Sequence, residues 1–139
     1  MVHVFTYGSL MFDPVWSKVV NDTGYERHEA ILQGFERKKV QHEVYPVIVP
    51  GAALSQVPGI VYFDVSSDDL ERLDHFEGEY YFRKTVQVVT LDARMLTAEA
   101  YVLKPEFYGI IAPGEWDPVK FSHSGIHYFM HNYLGFEKQ

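Results

Sequence analysis

The chain has 139 residues, 47% hydrophobic and 16% aromatic, which is enough to bury a sizeable core and fits one domain over residues 1–139. A formal charge of −7 argues against non-specific nucleic-acid binding, and the absence of cysteine excludes disulfides, thiol nucleophiles and cysteine-based zinc sites. No apolar run approaches the ~20 residues of a membrane span, and Met1 to Thr6 has no basic leader pattern, so a soluble cytoplasmic protein without membrane contact is expected.

Val2 to Thr6 is β-branched and aromatic and predicts a buried strand. It runs into Tyr7-Gly8-Ser9-Leu10-Met11. Gly8 permits a sharp turn and close approach of a ligand, and the N–H groups of Gly8, Ser9 and Leu10 can converge on an anion. An ordinary strand-to-loop turn would read the same way. Asp13-Pro14 predicts a helix start, with Asp13 as cap and Pro14 at the first helical position. Val15, Trp16, Val19 and Val20 form its apolar face, and Asn21-Asp22-Thr23-Gly24 ends it. Strand patterns follow at His28 to Leu32 and Phe35 to Val40, around a bend or hairpin at Gln33-Gly34. Val44 to Val49 is strongly apolar, and Pro46 places it at an edge, a bulge or a non-strand passage. Val57 to Val65 is the next strand, too continuously apolar for an exposed face.

Ser66 to Arg83 is the most informative stretch. Ser66 or Ser67 can cap a helix, and Asp68, Asp69 and Glu71 put negative charge in its first turn. Leu70, Leu73 and Phe76 make the apolar stripe, and Gly78 can end the helix in a left-handed conformation. Glu77 follows Leu70 by seven residues and falls almost above it, which aims a carboxylate at the apolar side. Burial raises a carboxyl pKa and makes it a useful acid or base near neutrality. The same pattern fits a glutamate at the rim of the core or one paired with Arg83. Asp74 reads as a polar edge or local acceptor and Glu79 as a solvated turn residue.

Tyr81 to Leu91 alternates as a strand, with Ala98 to Leu103 as its partner across a turn at Asp92-Ala93-Arg94. Lys104 to Glu115, with two prolines and two glycines, predicts a long surface loop. Asp117-Pro118 repeats the cap-plus-proline signal and starts a final helix towards Tyr133, with Gly135 after it. His123, His127 and His131 are spaced by four in that helix, but no His-Glu-x-x-His arrangement accompanies them, so no metal site is assigned. Walker, dinucleotide and Gly-x-Ser-x-Gly patterns are absent, and Ser9 lacks a nearby triad signature.

Taken together, Tyr7-Gly8-Ser9-Leu10 after a first strand and Leu73-Asp74-His75-Phe76-Glu77 followed by Tyr81-x-Arg83 resemble the gamma-glutamylcyclotransferase-like family. The pattern is most similar to its avirulence-induced-gene-like branch of plants and bacteria. Gly34-Phe35, Tyr45-Pro46 before an apolar run, and Gly114-Glu115-Trp116-Asp117 fit that branch, so the resemblance covers roughly Val4 to Phe121. It implies an α+β fold, a small mixed barrel-like sheet with a few packed helices. It also implies an acyl transfer in which the α-amine of a small γ-glutamyl compound attacks its own side-chain carbonyl, releasing 5-oxoproline and an amine. In that reading Glu77 is the proton acceptor and donor, and Tyr7, Gly8, Ser9 and Leu10 hold the substrate. Arg83 orients Glu77 or meets a substrate carboxylate, and Tyr81 and Tyr45 are pocket walls. No metal or organic cofactor is implied. A non-catalytic binding module for a small ligand or a protein is the alternative on the same fold. The leaving amine, the oligomeric state and the role of residues 104–115 are not encoded in a recognisable pattern.

Overall fold

The computed structural model describes residues 2–22 and 24–131. In chain order the strands are β1 (Val2–Thr6), β2 (Arg27–Gln33), β3 (Phe35–Val40), β4 (Pro46–Pro50), β5 (Gln56–Val65), β6 (Tyr81–Thr90), β7 (Met95–Leu103) and β8 (Ile111–Ala112). The helices are α1 (Asp13–Val19), α2 (Ser67–Glu77), α3 (Pro118–Lys120) and α4 (Ile126–Phe129).

Five strands close a barrel in the order β1, β5, β2, β6, β7. All neighbours are antiparallel except β1 and β7, which meet in parallel at Val4 and Glu99. Closure leaves these strands without a free edge. Successive side chains take opposite faces. Phe5, Val61, Val86, Val88 and Ala100 join one buried cluster, whereas Val4, Tyr62 and Tyr101 join a second with Val15 and Trp16 of α1 and Leu73 of α2. Trp16 stacks on Tyr62 with ring centroids 3.6 Å apart. The molecule is thus an α+β fold with helices packed on a mixed barrel.

The remaining strands form a small antiparallel sheet in the order β4, β3, β8. Gln33-Gly34 is therefore a bend between two sheets, not a hairpin, because β2 pairs with β5 and β6 while β3 pairs with β4 and β8. Pro46 opens the edge strand β4, where its missing N–H is harmless.

Other local expectations meet tertiary partners. Phe12, not Asp13, occupies the cap position of α1, and the Asp13 carboxylate hydrogen-bonds Arg27 of β2 instead. The expected pairing of β6 with β7 is present, with Val86 opposite Ala98. Residues 104–115 are not an unstructured loop. Pro105–Ile110 is a 3-10 helix, Ile111–Ala112 pairs with β3, and the Gln41 N–H donates to the Ile110 carbonyl at 2.8 Å. Asp117 caps α3 as expected, its carboxylate accepting from the N–H groups of Val119 and Lys120. A π turn, Phe121–Gly125, separates α3 from α4. The expected course towards Tyr133 and Gly135 lies outside the described residues.

Candidate active site

The Ser66 hydroxyl caps α2 by accepting the Asp69 N–H at 3.2 Å. Leu73 is fully buried, and Leu70 and Phe76 pack against the same cluster, so the apolar stripe seats the helix on the barrel. Gly78 ends α2 with φ 77° and ψ −160°, a region essentially confined to glycine. This differs from the left-handed cap expected: the more extended ψ sends the chain towards β6. Glu77, the last residue of α2, faces a cavity of about 330 Å³. Tyr7, Gly8, Ser9 and Leu10 form one wall, Tyr45 and Pro46 another, and Tyr81 and Tyr101 lie beside Glu77. Sequence positions far apart are therefore brought into one pocket.

Glu77 is partly accessible because it borders this cavity, yet protein surrounds it otherwise. Among the described residues no hydrogen bond or ion pair compensates its charge. Burial, and then the negative charge of Asp74, push its pKa up to about 8. Tyr7 and Tyr81 are raised well above the usual phenol value, burial being the main cause and the Glu77 charge contributing to both. Burial likewise pushes Tyr45 up to about 12. The phenols around Glu77 are thus neutral hydrogen-bonding groups at physiological pH.

The wall from Tyr7 to Met11 has all of its carbonyls engaged. The Tyr7 carbonyl accepts from Arg37 Nη1 at 3.0 Å, and the Leu10 carbonyl from the Tyr62 hydroxyl at 3.0 Å. The Gly8 and Ser9 carbonyls accept from the N–H groups of Met11 and Phe12, closing the 3-10 turn Ser9–Met11. The Met11 carbonyl accepts from Arg27 Nη2 at 3.2 Å. By contrast, the N–H groups of Gly8, Ser9 and Leu10 have no acceptor among the described residues. Gly8 is required by contact: a Cβ there would stand 2.7 Å from Pro46 Cδ. The loop that lines the cavity thus carries three backbone donors without an acceptor among the described residues, which suits an anion.

A hydrogen-bonded chain braces the same pocket. The Tyr7 hydroxyl donates to the Tyr101 carbonyl at 2.7 Å, and the Tyr101 hydroxyl donates to Asp74 Oδ1 at 2.6 Å. Arg83 Nε lies 3.3 Å from the same Asp74 oxygen, and Arg83 Nη1 lies 3.8 Å from Glu99 Oε1. Arg83 is therefore held by Asp74 and Glu99 rather than by Glu77, and it does not line the cavity. Asp74 is an acceptor, as expected, but for the distant Tyr101 and Arg83 rather than for a local group. Exposed Glu79 also borders the cavity. His123, His127 and His131 are exposed, and no group of three or more metal-ligating side chains converges among the described residues. Arg27, Arg37 and Tyr62, which hold the loop carbonyls, carry no local motif; only their long-range hydrogen bonds identify them.

Comparison with known proteins gives a consistent result. A family described as "Gamma-glutamyl cyclotransferase, AIG2-like" matches residues 4–118. The chain is 37% identical over 119 residues to AIG2-like protein C of Arabidopsis thaliana, covering 82% of this chain and 65% of that one. It thus spans just under two thirds of that relative's length. A solution structure from Arabidopsis thaliana superposes with TM-score 0.69 at 29% identity, over 99% of this chain and 82% of the other. A structure titled gamma-glutamyl cyclotransferase superposes with TM-score 0.64 at 21% identity, over 74% of this chain and 66% of that one, a likeness of fold. Among the described residues no helix is long and apolar enough to cross a membrane.

Proposed function

The chain belongs to the gamma-glutamyl cyclotransferase, AIG2-like family, and on that premise we propose that it cyclises a small γ-glutamyl compound to 5-oxoproline with release of an amine. The observation that carries this reading is an uncompensated Glu77 carboxyl, raised to about 8, lining one cavity with the free amides of Gly8, Ser9 and Leu10.

The chemistry needs both features. The substrate's α-ammonium cannot attack until it loses a proton, and Glu77 as carboxylate accepts it. The positive charge of the arriving ammonium favours the ionised carboxylate. The freed amine then attacks the γ-carbonyl carbon, forming a new C–N bond and placing negative charge on the carbonyl oxygen. Collapse of that intermediate breaks the bond to the leaving nitrogen, which takes the proton back from Glu77, and the regenerated carboxylate accepts the second proton from the ring nitrogen to leave the neutral lactam. The net reaction moves no electrons to an outside acceptor and consumes no water. The amides of Gly8, Ser9 and Leu10 bind the substrate α-carboxylate, or in part the developing oxyanion. Holding the γ-glutamyl group folded brings amine and carbonyl together, so positioning supplies much of the rate. Tyr7 and Tyr81 bound the site as neutral phenols.

The test is 5-oxoproline release from a panel of γ-glutamyl amines and dipeptides by wild type and Glu77→Gln in parallel. Product from wild type alone is expected. Equal turnover by both proteins would remove Glu77 from the mechanism. No product from wild type on any member, with ligand still bound, would favour a non-catalytic binding role.

A further inference from the structure

The wall carrying the free amides is not self-supporting. Arg37 of β3 donates from Nη1 both to the Tyr7 carbonyl at 3.0 Å and to the Pro58 carbonyl of β5 at 3.1 Å. Its guanidinium carbon lies 5.1 Å from the centre of the Trp116 ring. Burial disfavours the Arg37 charge, and the Glu115 carboxylate beside Trp116 offsets part of that electrostatically. Trp116 is itself buried, and its Nε1–H donates to the Val44 carbonyl at 2.7 Å. Val44 leads directly into Tyr45 and Pro46, which also line the cavity, and Pro46 is the group against which Gly8 packs. One side chain thus grips the loop from Tyr7, and its ring partner grips the segment that packs against that loop.

We propose that Arg37 and Trp116 form a strut that sets the spacing of the two pocket walls, and that both act as positioning residues for the loop that holds the substrate α-carboxylate. Neither lines the cavity, so neither touches substrate. A planar guanidinium is suited to such a strut, because it can donate to two carbonyls while its flat, delocalised charge lies over the indole. A lysine retains the charge and donors but not the flat face. The proposal rests on the proposed reaction only for its kinetic arm.

Three variants test it: Arg37→Met, which removes the donors and the charge over the ring; Arg37→Lys, which keeps donors; and Trp116→Phe, which keeps a ring but not the bond to Val44. The first readout is amide hydrogen exchange at Met11 and Phe12, whose N–H groups close the turn onto Gly8 and Ser9. In Arg37→Met these two amides should exchange about tenfold faster or more, while those of Val86 and Val88 in the barrel hold their rates. Trp116→Phe should loosen the same amides less, and Arg37→Lys should fall between wild type and Arg37→Met. The second readout is 5-oxoproline release, where Arg37→Met should raise KM about tenfold with a smaller change in kcat, as expected for a weakened carboxylate anchor. Unchanged exchange at Met11 and Phe12, or faster exchange spread evenly over the barrel, overturns the proposal and leaves Arg37 a general stabiliser. A fall in kcat at unchanged KM overturns it too. If Arg37→Met fails to fold, Arg37→Lys and Trp116→Phe decide by the same amides. A wild-type protein that forms no 5-oxoproline refutes the proposed reaction alone, because the exchange measurement still decides the strut.

Discussion

Asp69 and Glu77 stand at opposite ends of α2, the first buried and the second at the border of the cavity. Asp69 is 1% exposed and fully engaged: it accepts the N–H groups of Asn21 and Asp22, the Tyr25 hydroxyl at 2.6 Å and Arg72 Nη1 at 2.9 Å. Burial alone raises its pKa, but these hydrogen bonds outweigh burial and the net shift is downward. Glu77 has no such partners and moves the other way, to about 8. The first-turn end of a helix also favours negative charge, whereas the last turn does not. Burial by itself therefore does not determine what a carboxylate does. Compensation makes Asp69 a tie between α2 and the segment after α1, and its absence leaves Glu77 poised for proton transfer.

The sharpest way to break this comparison is to exchange each carboxyl for a neutral group. Glu77→Gln should lower turnover by about 10²–10⁴-fold, the usual worth of a general acid–base, while the fold is retained; near-wild-type kcat in that variant would sink its assigned role. Asp69→Ala should leave the chemistry of the pocket in place but cost roughly 2–4 kcal/mol in denaturant unfolding, because buried donors lose their acceptor. A loss below the scatter of surface mutants would show that the Asp69 cluster is not a tie. Because the folded pKa of Asp69 is depressed, its contribution is present above the unfolded value of about 3.9 and is lost as pH falls through the folded value. Acid titration of wild type against Asp69→Asn reads this directly.

Smaller effects refine the same contrast. The folded pKa of Glu77 lies above the unfolded value of about 4.3, so its contribution to stability is fully present below that value and declines as pH rises through about 8. At pH 9, Glu77→Gln should therefore be more stable than wild type by about 1–3 kcal/mol, a figure reduced because the carboxyl borders an accessible cavity. Thermal unfolding at pH 5 and pH 9 checks it; a constant difference at the two pH values would contradict the raised pKa. Asp74→Asn removes the charge that adds to burial at Glu77, so the acidic limb of kcat/KM should move to lower pH. An unmoved limb would mean that burial alone sets the value.

Local chemistry made several elements legible. Ser66 capping α2, Asp117 capping α3, and the Leu70, Leu73, Phe76 stripe depend on neighbours within a turn, and each is present. The pairing of β6 with β7 follows from alternation and a short turn. Long-range competition decided the misreadings. Asp13 has the composition of a cap, yet Arg27 takes its carboxylate. Residues 104–115 have the composition of a loop, yet β3 supplies an edge for Ile111 and Ala112. Gln33-Gly34 fits a bend or a hairpin equally, and the entry of the flanking strands into different sheets decides for the bend.

For the site the division is similar. Glu77 and the Tyr7 to Leu10 segment stand out in the chain because a helix-phase glutamate and a strand-end glycine have local signatures. Their convergence on one cavity, the diversion of Arg83 to Asp74 and Glu99, and the support of the loop by Arg27, Arg37 and Tyr62 were decided by the tertiary structure. The sequence by itself determined the helix phase, the Ser66 and Asp117 caps and the strand alternation, because backbone geometry repeats over a few residues. Which donors reach which carbonyls, and which carboxylate is left without one, depends on how distant segments pack, and that sets the pKa values on which the proposed chemistry depends.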